Sequence, residues 1–128
     1  HKHLEFNVLK TIAAFLNTKG GTLVIGVTDE KKVVGIEREG FDSLDSYSRH
    51  LVQIINNKFS KVIVSNYITI EIIKINDLSV CVVKCKDGTK DIIYLDGKVF
   101  ARTGPRTDEL SVEDVVNLYK EKSTQINS

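Results

Sequence analysis

Residues 13–29 read AAFLNTKGGTLVIGVTD, and this stretch sets the fold of the chain. It opens inside a helix, because apolar residues recur before it and within it at helical spacing: Leu9, Ile12, Ala13 and Leu16. Gly20 and Gly21 then interrupt the pattern, and one of them is expected in the left-handed conformation that ends a helix. Residues 22–27 follow as a strand that is apolar on both faces, which predicts a central place in a sheet.

The neighbours of this stretch extend it in both directions. Asn7 is a favourable N-cap, which predicts a helix over residues 8–18, and residues 3–6 are predicted as a short strand. Gly26 inside the strand has no side chain to pack, which indicates close approach by another backbone or a ligand. After a charged turn, residues 33–36 are predicted to return as the second arm of a hairpin.

The rest of the chain continues as helices and hairpins. Ser43 or Asp42 caps a second helix over residues 44–59, and Ser111 caps a third. The predicted apolar faces of these helices are Leu44, Tyr47, Leu51, Ile54 and Ile55 in the second, and Val112, Val115, Val116 and Tyr119 in the third.

Two hairpins complete the prediction. Residues 67–75 and 78–86 flank Asn76-Asp77, and residues 91–95 and 98–102 flank Asp96-Gly97. Residues 103–108 are predicted as a loop. Together the elements predict an α+β fold: a mixed, mostly antiparallel sheet of about six strands packed with three helices.

Composition limits the class of protein. The chain has 128 residues, 18 basic and 17 acidic, so attraction to nucleic acid requires a local basic patch. No apolar run approaches the roughly 20 residues of a membrane span. We expect a cytoplasmic protein in which Cys81 and Cys85 are buried, reduced thiols. Residues 1–122 are predicted as one domain and 123–128 as a frayed tail. The absence of methionine predicts a piece of a longer protein.

Basic residues surround the loop that contains the only proline. Arg102 leaves a strand into this loop, Arg106 follows it and Lys98 precedes it. Guanidinium groups grip phosphates with fork geometry, so this segment is a candidate phosphate site. A solvated loop is the equally frequent alternative. The basic side chains that could extend the patch are Lys84, Lys86 and Lys90.

Two other segments carry groups that could support chemistry. The Gly20-Gly21 pair exposes backbone N–H groups, but its order, helix then strand, is the reverse of the known nucleotide motifs, so a C-cap is favoured. Glu5, Asp29 and Glu30 supply carboxylates that could hold a divalent metal and activate water. Spacing alone does not bring Glu5 near Asp29, and an exposed turn is the more frequent interpretation.

The central string resembles a known family. Residues 14–29, AFLNTKGGTLVIGVTD, together with VFARTG at 99–104 and SVED at 111–114, resemble the Schlafen-type AlbA-like domain, often described as DNA-binding in bacterial proteins. The resemblance covers almost the whole chain. Asn17, Gly20, Gly21 and Gly26 are the motif residues that carry it.

The resemblance implies a mixed sheet with packed helices and, in one branch, metal-dependent endoribonucleases. Their carboxylates would correspond to Glu5 and Asp29, with magnesium or manganese as the metal. This chain departs from the family pattern at Asn7, where the family has lysine. The family also has a longer stretch before the helix, which suggests residues missing between Phe6 and Asn7.

Three hypotheses about function follow. The first is a DNA- or RNA-binding module of a bacterial regulator or defence-type protein, in which basic side chains contact phosphates: Lys19, Lys98, Arg102 and Arg106. The second is a metal-dependent nuclease that uses Glu5 and Asp29. The third is a dimerisation or ligand-sensing module, and a homodimer without membrane contact is the expected assembly.

Overall fold

The computed structural model describes the backbone of residues 2–127 and the side chains of residues 5–124. Within that range the chain forms four α-helices and five strands, in the order α1 (Lys2–Asn17), β1 (Gly21–Ile25), α2 (Leu44–Phe59), α3 (Lys61–Tyr67), β2 (Ile68–Ile75), β3 (Leu78–Cys85), β4 (Phe100–Thr103), β5 (Arg106–Glu109) and α4 (Val112–Asn127). The predicted α+β class is confirmed. The strands form two antiparallel sheets rather than one sheet of about six strands.

The chain divides into two compact units. The first unit is Thr22–Lys84 and contains the three-stranded sheet with α2 and α3. The second unit joins Lys2–Gly21 to the chain from Cys85 onward and contains α1, α4 and the β4–β5 hairpin. None of the helices in the described part of the chain is long and apolar enough to span a membrane.

Strand β3 is the centre of the sheet in the first unit, because the strand order is β1-β3-β2. Residues 79–83 of this strand are all buried. The prediction that residues 22–27 form a central strand is therefore wrong. β1 lies at an edge, where its residues alternate between half-buried and exposed, and Val24 keeps 41% of its surface exposed.

Gly26 lies where two backbone segments meet, as the sequence predicts. A Cβ atom at this position would lie 3.2 Å from the carbonyl oxygen of Ser79 and 3.3 Å from the carbonyl carbon of Gly35. The approach is between backbones of the same unit, so the missing side chain is accounted for by packing.

The predicted second hairpin arm at residues 33–36 is replaced by a turn. Val33 makes one isolated bridge with Val27. The N–H groups of Val34 and Gly35 then both donate to the carbonyl oxygen of Gly26, at 2.8 and 2.9 Å. A 3-10 turn follows at once at Ile36–Glu39. A ladder cannot continue where two successive N–H groups share one acceptor.

Helix α2 matches its predicted bounds. The Ser43 hydroxyl accepts a hydrogen bond from the N–H of Ser46 at 3.1 Å, which makes Ser43 the N-cap. The buried side chains of the helix are Tyr47, Leu51, Ile55 and Phe59. Two predicted members of the face differ, since Leu44 is 39% exposed and Ile54 is only half-buried.

Helix α3 has no counterpart among the predicted elements. Its sequence, KVIVSNY, is rich in β-branched residues, which favour strands. The helix nevertheless forms after Ser60, whose hydroxyl accepts from the N–H of Ile63 at 3.3 Å. A local cap therefore outweighs a weak propensity.

Helix α1 runs without interruption from Lys2 to Asn17. The predicted strand at residues 3–6 and the predicted N-cap at Asn7 are therefore wrong. Neither glycine nor proline occurs between residues 2 and 17, so nothing local stops the helix from extending toward the N-terminus. Phe6 and Asn7 both lie within this one helix.

The hairpin of the second unit lies later than predicted. Around Asp96-Gly97 the chain makes only the Leu95–Lys98 bridge in place of the predicted strands. β4 instead pairs with β5, which takes up half of the predicted loop, with Arg102 opposite Thr107. The Gly104-Pro105 dipeptide is thus the turn of a hairpin.

Helix α4 begins after Ser111, which accepts from the N–H of Asp114 at 3.2 Å, as predicted. Of its predicted inner face, only Val115 packs. Val112, Val116 and Tyr119 are 83%, 46% and 63% exposed. The face that packs holds Val115, Leu118 and Lys122, which also recur at helical spacing.

Both cysteines are buried free thiols on β3, as predicted. Burial raises the pKa of Cys81 to about 11 and that of Cys85 to about 12. We expect neither thiol to react with a disulfide reagent at pH 8 in the folded protein, while both react in urea. The raised folded pKa values also mean that stability is full below the unfolded thiol pKa, about 8.5, and is lost as pH rises toward 11–12.

A kinetic thiol assay and urea titrations across this pH range test the thiol prediction. Rapid labelling of one thiol in the native protein at pH 8 would contradict it. So would a stability that is flat or rising between pH 9 and pH 11 after comparison with a Cys81→Ala/Cys85→Ala variant.

Candidate nucleic-acid interface

Asn17 fixes the end of α1 in the second unit. Its side chain is 2% exposed. The Nδ2 group donates to the carbonyl oxygens of Ile93 and Phe100, each at 2.9 Å, and Oδ1 accepts from the N–H of Ile93 at 2.8 Å. One amide therefore ties the helix to two separate segments, so the role of this motif residue is architectural.

The turn that follows continues this attachment. The hydroxyl of Thr18 donates to the carbonyl oxygen of Ala14 and accepts from the N–H of Arg102, the latter at 3.1 Å. The N–H of Gly20 donates to the carbonyl oxygen of Phe15 at 2.9 Å. Gly20 has a φ of +73°, the left-handed conformation predicted for one of the two glycines.

Gly20 brings this turn against a second segment of the same unit. A Cβ atom on Gly20 would lie 2.5 Å from the carbonyl oxygen of Cys85, 2.9 Å from the nitrogen of Asp87 and 3.0 Å from the carbonyl carbon of Lys86. Only glycine permits so close an approach. The turn that carries Lys19 and the loop that carries Lys86 are therefore neighbours.

Three exposed lysines lie on these two neighbouring segments: Lys19, Lys86 and Lys90. We call them the lysine surface. Within residues 5–124 the structure records no carboxylate within ion-pair distance of any of the three ammonium groups. The loop also carries the exposed carboxylates of Asp87 and Asp91. The three ammonium groups thus outnumber the carboxylates and are available to an anion.

A buried network holds the loop of the lysine surface in place. Thr89, 3% exposed, donates from its hydroxyl to the carbonyl oxygen of Leu16 at 2.8 Å. Lys122 reaches in from α4 and donates to the carbonyl and hydroxyl oxygens of Thr89, at 2.9 and 2.8 Å. Burial lowers the pKa of Lys122, and the carboxylates of Glu121 and Asp91 oppose that shift. Lys122 is therefore a structural cation.

Arg102 is half-buried rather than free in the loop. Its guanidinium carbon lies 5.2 Å from the centre of the Phe15 ring, and Nη1 donates to the hydroxyl of Thr107 at 2.8 Å. Stacking on an aromatic face fixes the orientation of the guanidinium. Arg102 is thus a preoriented cation close to the turn at Thr18, whose hydroxyl binds its N–H.

The other two predicted phosphate ligands have carboxylate partners. Nη2 of Arg106 lies 3.1 Å from a carboxylate oxygen of Asp108, and Nζ of Lys98 lies 3.7 Å from one of Glu109. All four side chains are substantially exposed, so each pair contributes little to stability. The two carboxylates cancel the positive charge that Lys98 and Arg106 would offer to a phosphate.

A protein-family model described as Schlafen, AlbA_2 matches residues 1–111. The chain belongs to this family. The match includes the Asn17 anchor, the Gly20 turn and the whole lysine surface. Helix α4 begins at Val112, so Lys122 reaches the Schlafen AlbA_2 domain from beyond the matched residues. No curated protein and no solved structure is significantly similar to the chain.

The two carboxylates that the resemblance suggested lie in different units. Glu5 is on α1 in the second unit, and Asp29 is an exposed residue that follows β1 in the first. Among the described residues no group of three or more His, Cys, Asp or Glu side chains could hold a metal ion. His1 and the side chain of His3 lie outside the described residues. A metal-dependent nuclease in this Schlafen AlbA_2 chain stays a prediction.

The buried role of Lys122 in this region was not predicted from the sequence. Lys122 follows Val115 and Leu118 at intervals of seven and four residues, so helical spacing places it on the packed face of α4. The predicted inner face was centred instead on more apolar residues. The signal that could have revealed this role is a lysine at a position that helical spacing places on the packed face of α4.

Proposed function

We propose that this Schlafen AlbA_2 chain binds nucleic acid, DNA or RNA, by contacting phosphates with the lysine surface of its second unit. The observation that carries the proposal is the backbone contact at Gly20, which places the Lys19 turn beside the loop of Lys86 and Lys90. Phosphate contacts of this kind supply most of the affinity for nucleic acid and little sequence preference.

The charge balance supports a local site. The whole chain has a net charge of only +1, so long-range attraction is weak. Lys19, Lys86 and Lys90 lie on neighbouring segments and exceed the nearby carboxylates of Asp87 and Asp91 by one charge. The stacked guanidinium of Arg102 adds a further positive charge next to the same turn. The lysine surface is therefore a better candidate than the Lys98 and Arg106 side chains, whose nearest charged neighbours are carboxylates.

Charge removal tests the proposal. We expect Lys19→Ala/Lys86→Ala/Lys90→Ala to weaken binding by about tenfold or more at low salt. We also expect it to reduce the slope of log K against log salt by about 2, because each lost phosphate contact removes about 0.7–0.9. Fluorescence anisotropy with labelled single-stranded and duplex DNA and RNA, between about 50 and about 200 mM salt, measures both quantities.

The matched control removes the same number of charges elsewhere. Lys98→Ala/Arg106→Ala/Lys120→Ala changes three exposed cations outside the lysine surface. Its slope should change by less than half as much. Equal losses in the two triple variants would show that only bulk charge matters, and no binding at about 50 mM salt would refute the proposed function.

A further inference from the structure

A shallow, open groove lies on the first unit, between α2 and the start of α3, with a volume of about 410 Å³. Its half-buried row is Ser48, Val52 and Asn56, and its exposed row is Arg49, Gln53 and Asn57. The members of each row are four residues apart, so they form two adjacent stripes on one face of α2. Lys61 closes the end of the groove. The volume falls in the range of small-molecule sites.

The side chains that line the groove combine positive charge with hydrogen-bonding groups. Two cations, three amides and one hydroxyl line it, and no carboxylate does, although the chain contains 17 acidic residues. The side chains of Gln53, Asn56 and Asn57 make no hydrogen bond that the structure records within residues 5–124. Their donors and acceptors are therefore available to a ligand.

The ion pair that the described residues form at the groove is weak. Nη1 of Arg49 lies 3.2 Å from a carboxylate oxygen of Asp45, one helical turn earlier, and these side chains are 72% and 76% exposed. Exposed pairs of this kind contribute little energy. A phosphate can therefore replace Asp45 as the partner of Arg49, with a bidentate geometry that suits the guanidinium.

We infer that this α2–α3 groove binds an unpaired nucleotide of a single-stranded nucleic acid. Arg49 and Lys61 meet the phosphate, the three amides meet the base edge, and Val52 provides an apolar contact. Amide side chains pair with base edges because both carry a donor beside an acceptor. The Watson–Crick edges are paired in a duplex and open in a single strand, so amides that bind those edges select a single strand.

The inference rests on the proposed nucleic-acid function but uses a different surface. The lysine surface belongs to the second unit, and the α2–α3 groove belongs to the first. The lysine surface contains no amide and therefore responds to charge alone. The groove combines two cations with amides that act through hydrogen bonds, so the contribution of the amides does not depend on salt.

Removal of the amides tests the groove. We expect Gln53→Ala/Asn56→Ala/Asn57→Ala to weaken binding of a single-stranded oligonucleotide by about tenfold without changing the salt slope, since no charge is lost. Duplex binding should change by less than about twofold. Asn7→Ala/Asn66→Ala/Asn117→Ala removes three exposed helical amides outside the groove and should leave both affinities within about twofold.

Anisotropy with single-stranded RNA, single-stranded DNA, the matching duplex and an acidic peptide separates the outcomes. The inference is overturned if the groove and control triples behave alike, if single strand and duplex lose affinity equally, or if the acidic peptide competes best. Should no nucleic acid bind the wild type, the proposed function fails as well. Should only the lysine triple lose affinity, the groove alone is refuted.

A measurement on the wild-type protein guards against a folding defect in the variants. The side-chain NH₂ signals of Gln53, Asn56 and Asn57 should shift in an NMR titration with a short single strand, and more than those of Asn7, Asn66 and Asn117. Groove signals that stay in place while the strand binds elsewhere would overturn the inference.

Discussion

Asn17→Ala should lower the free energy of unfolding by roughly 3–5 kcal/mol. The substitution removes three hydrogen bonds of 2.8–2.9 Å from a site that is 2% exposed. It leaves the N–H and carbonyl groups of Ile93 and the carbonyl of Phe100 without their partner. Each buried group that loses its partner costs about 1–3 kcal/mol. The total is a large part of the roughly 5–15 kcal/mol that stabilises a typical domain.

Urea titration followed by circular dichroism measures this loss. Asn7→Ala is the matched control, because Asn7 is an exposed asparagine on the same helix and alanine is the better helix former. The control should stay within about 0.5 kcal/mol of the wild type. A loss below about 1 kcal/mol for Asn17→Ala would mean that water or a neighbouring group replaces the amide, contrary to the network described here.

Local chemistry explains the elements that the sequence predicted well. Ser43 and Ser111 are N-caps whose hydroxyls bind an N–H three residues later, so the start of each helix is encoded within one turn of chain. Asn76 adopts a φ of +57°, and the pair Asn76-Asp77 forms the turn between β2 and β3. Signals of this kind need no knowledge of distant residues.

Long-range contacts explain the elements that the sequence predicted wrongly. β4 and β5 pair across Gly104-Pro105, but the Asp96-Gly97 pair is the stronger local hairpin signal. Both turns do form, with Asp96 and Gly97 at φ values of +50° and +79°. Which turn is flanked by strands depends on packing against α1, and the side chain of Asn17 already occupies the N–H and carbonyl of Ile93.

The features of the candidate site also divide into those that local sequence predicts and those that depend on long-range contacts. The sequence singled out Lys19 and Arg102, and it named Lys86 and Lys90 as extensions, because basic residues are visible in a one-dimensional pattern. It could not show that Lys98 faces Glu109, since that pair depends on the pairing of β4 with β5. Nor could it show that Gly20 packs on residues 85–87, which lie more than 60 residues later in the chain.

We expect the second large loss of stability for Gly20→Ala, which places a side chain in this contact. A Cβ atom would lie 2.5 Å from the carbonyl oxygen of Cys85, a distance at which the backbone must shift. Alanine at the φ of +73° adds about 1–2 kcal/mol of strain, and the overpacking adds about 1–3 kcal/mol. We expect a loss of about 3–4 kcal/mol in the free energy of unfolding, measured by urea titration.

Gly97→Ala separates the contribution of backbone strain from that of overpacking. Gly97 has a similar φ of +79°, but a Cβ atom there would meet nothing within 4 Å, so this variant reports the backbone strain alone. It should lose only about 1–2 kcal/mol and keep its affinity for nucleic acid. Gly20→Ala displaces the 85–87 backbone from the Lys19 turn, so the molecules that remain folded should bind more weakly. Equal stability losses in the two variants would show that the contact at Gly20 relaxes freely. It would then not be what holds Lys19 beside Lys86 in the lysine surface.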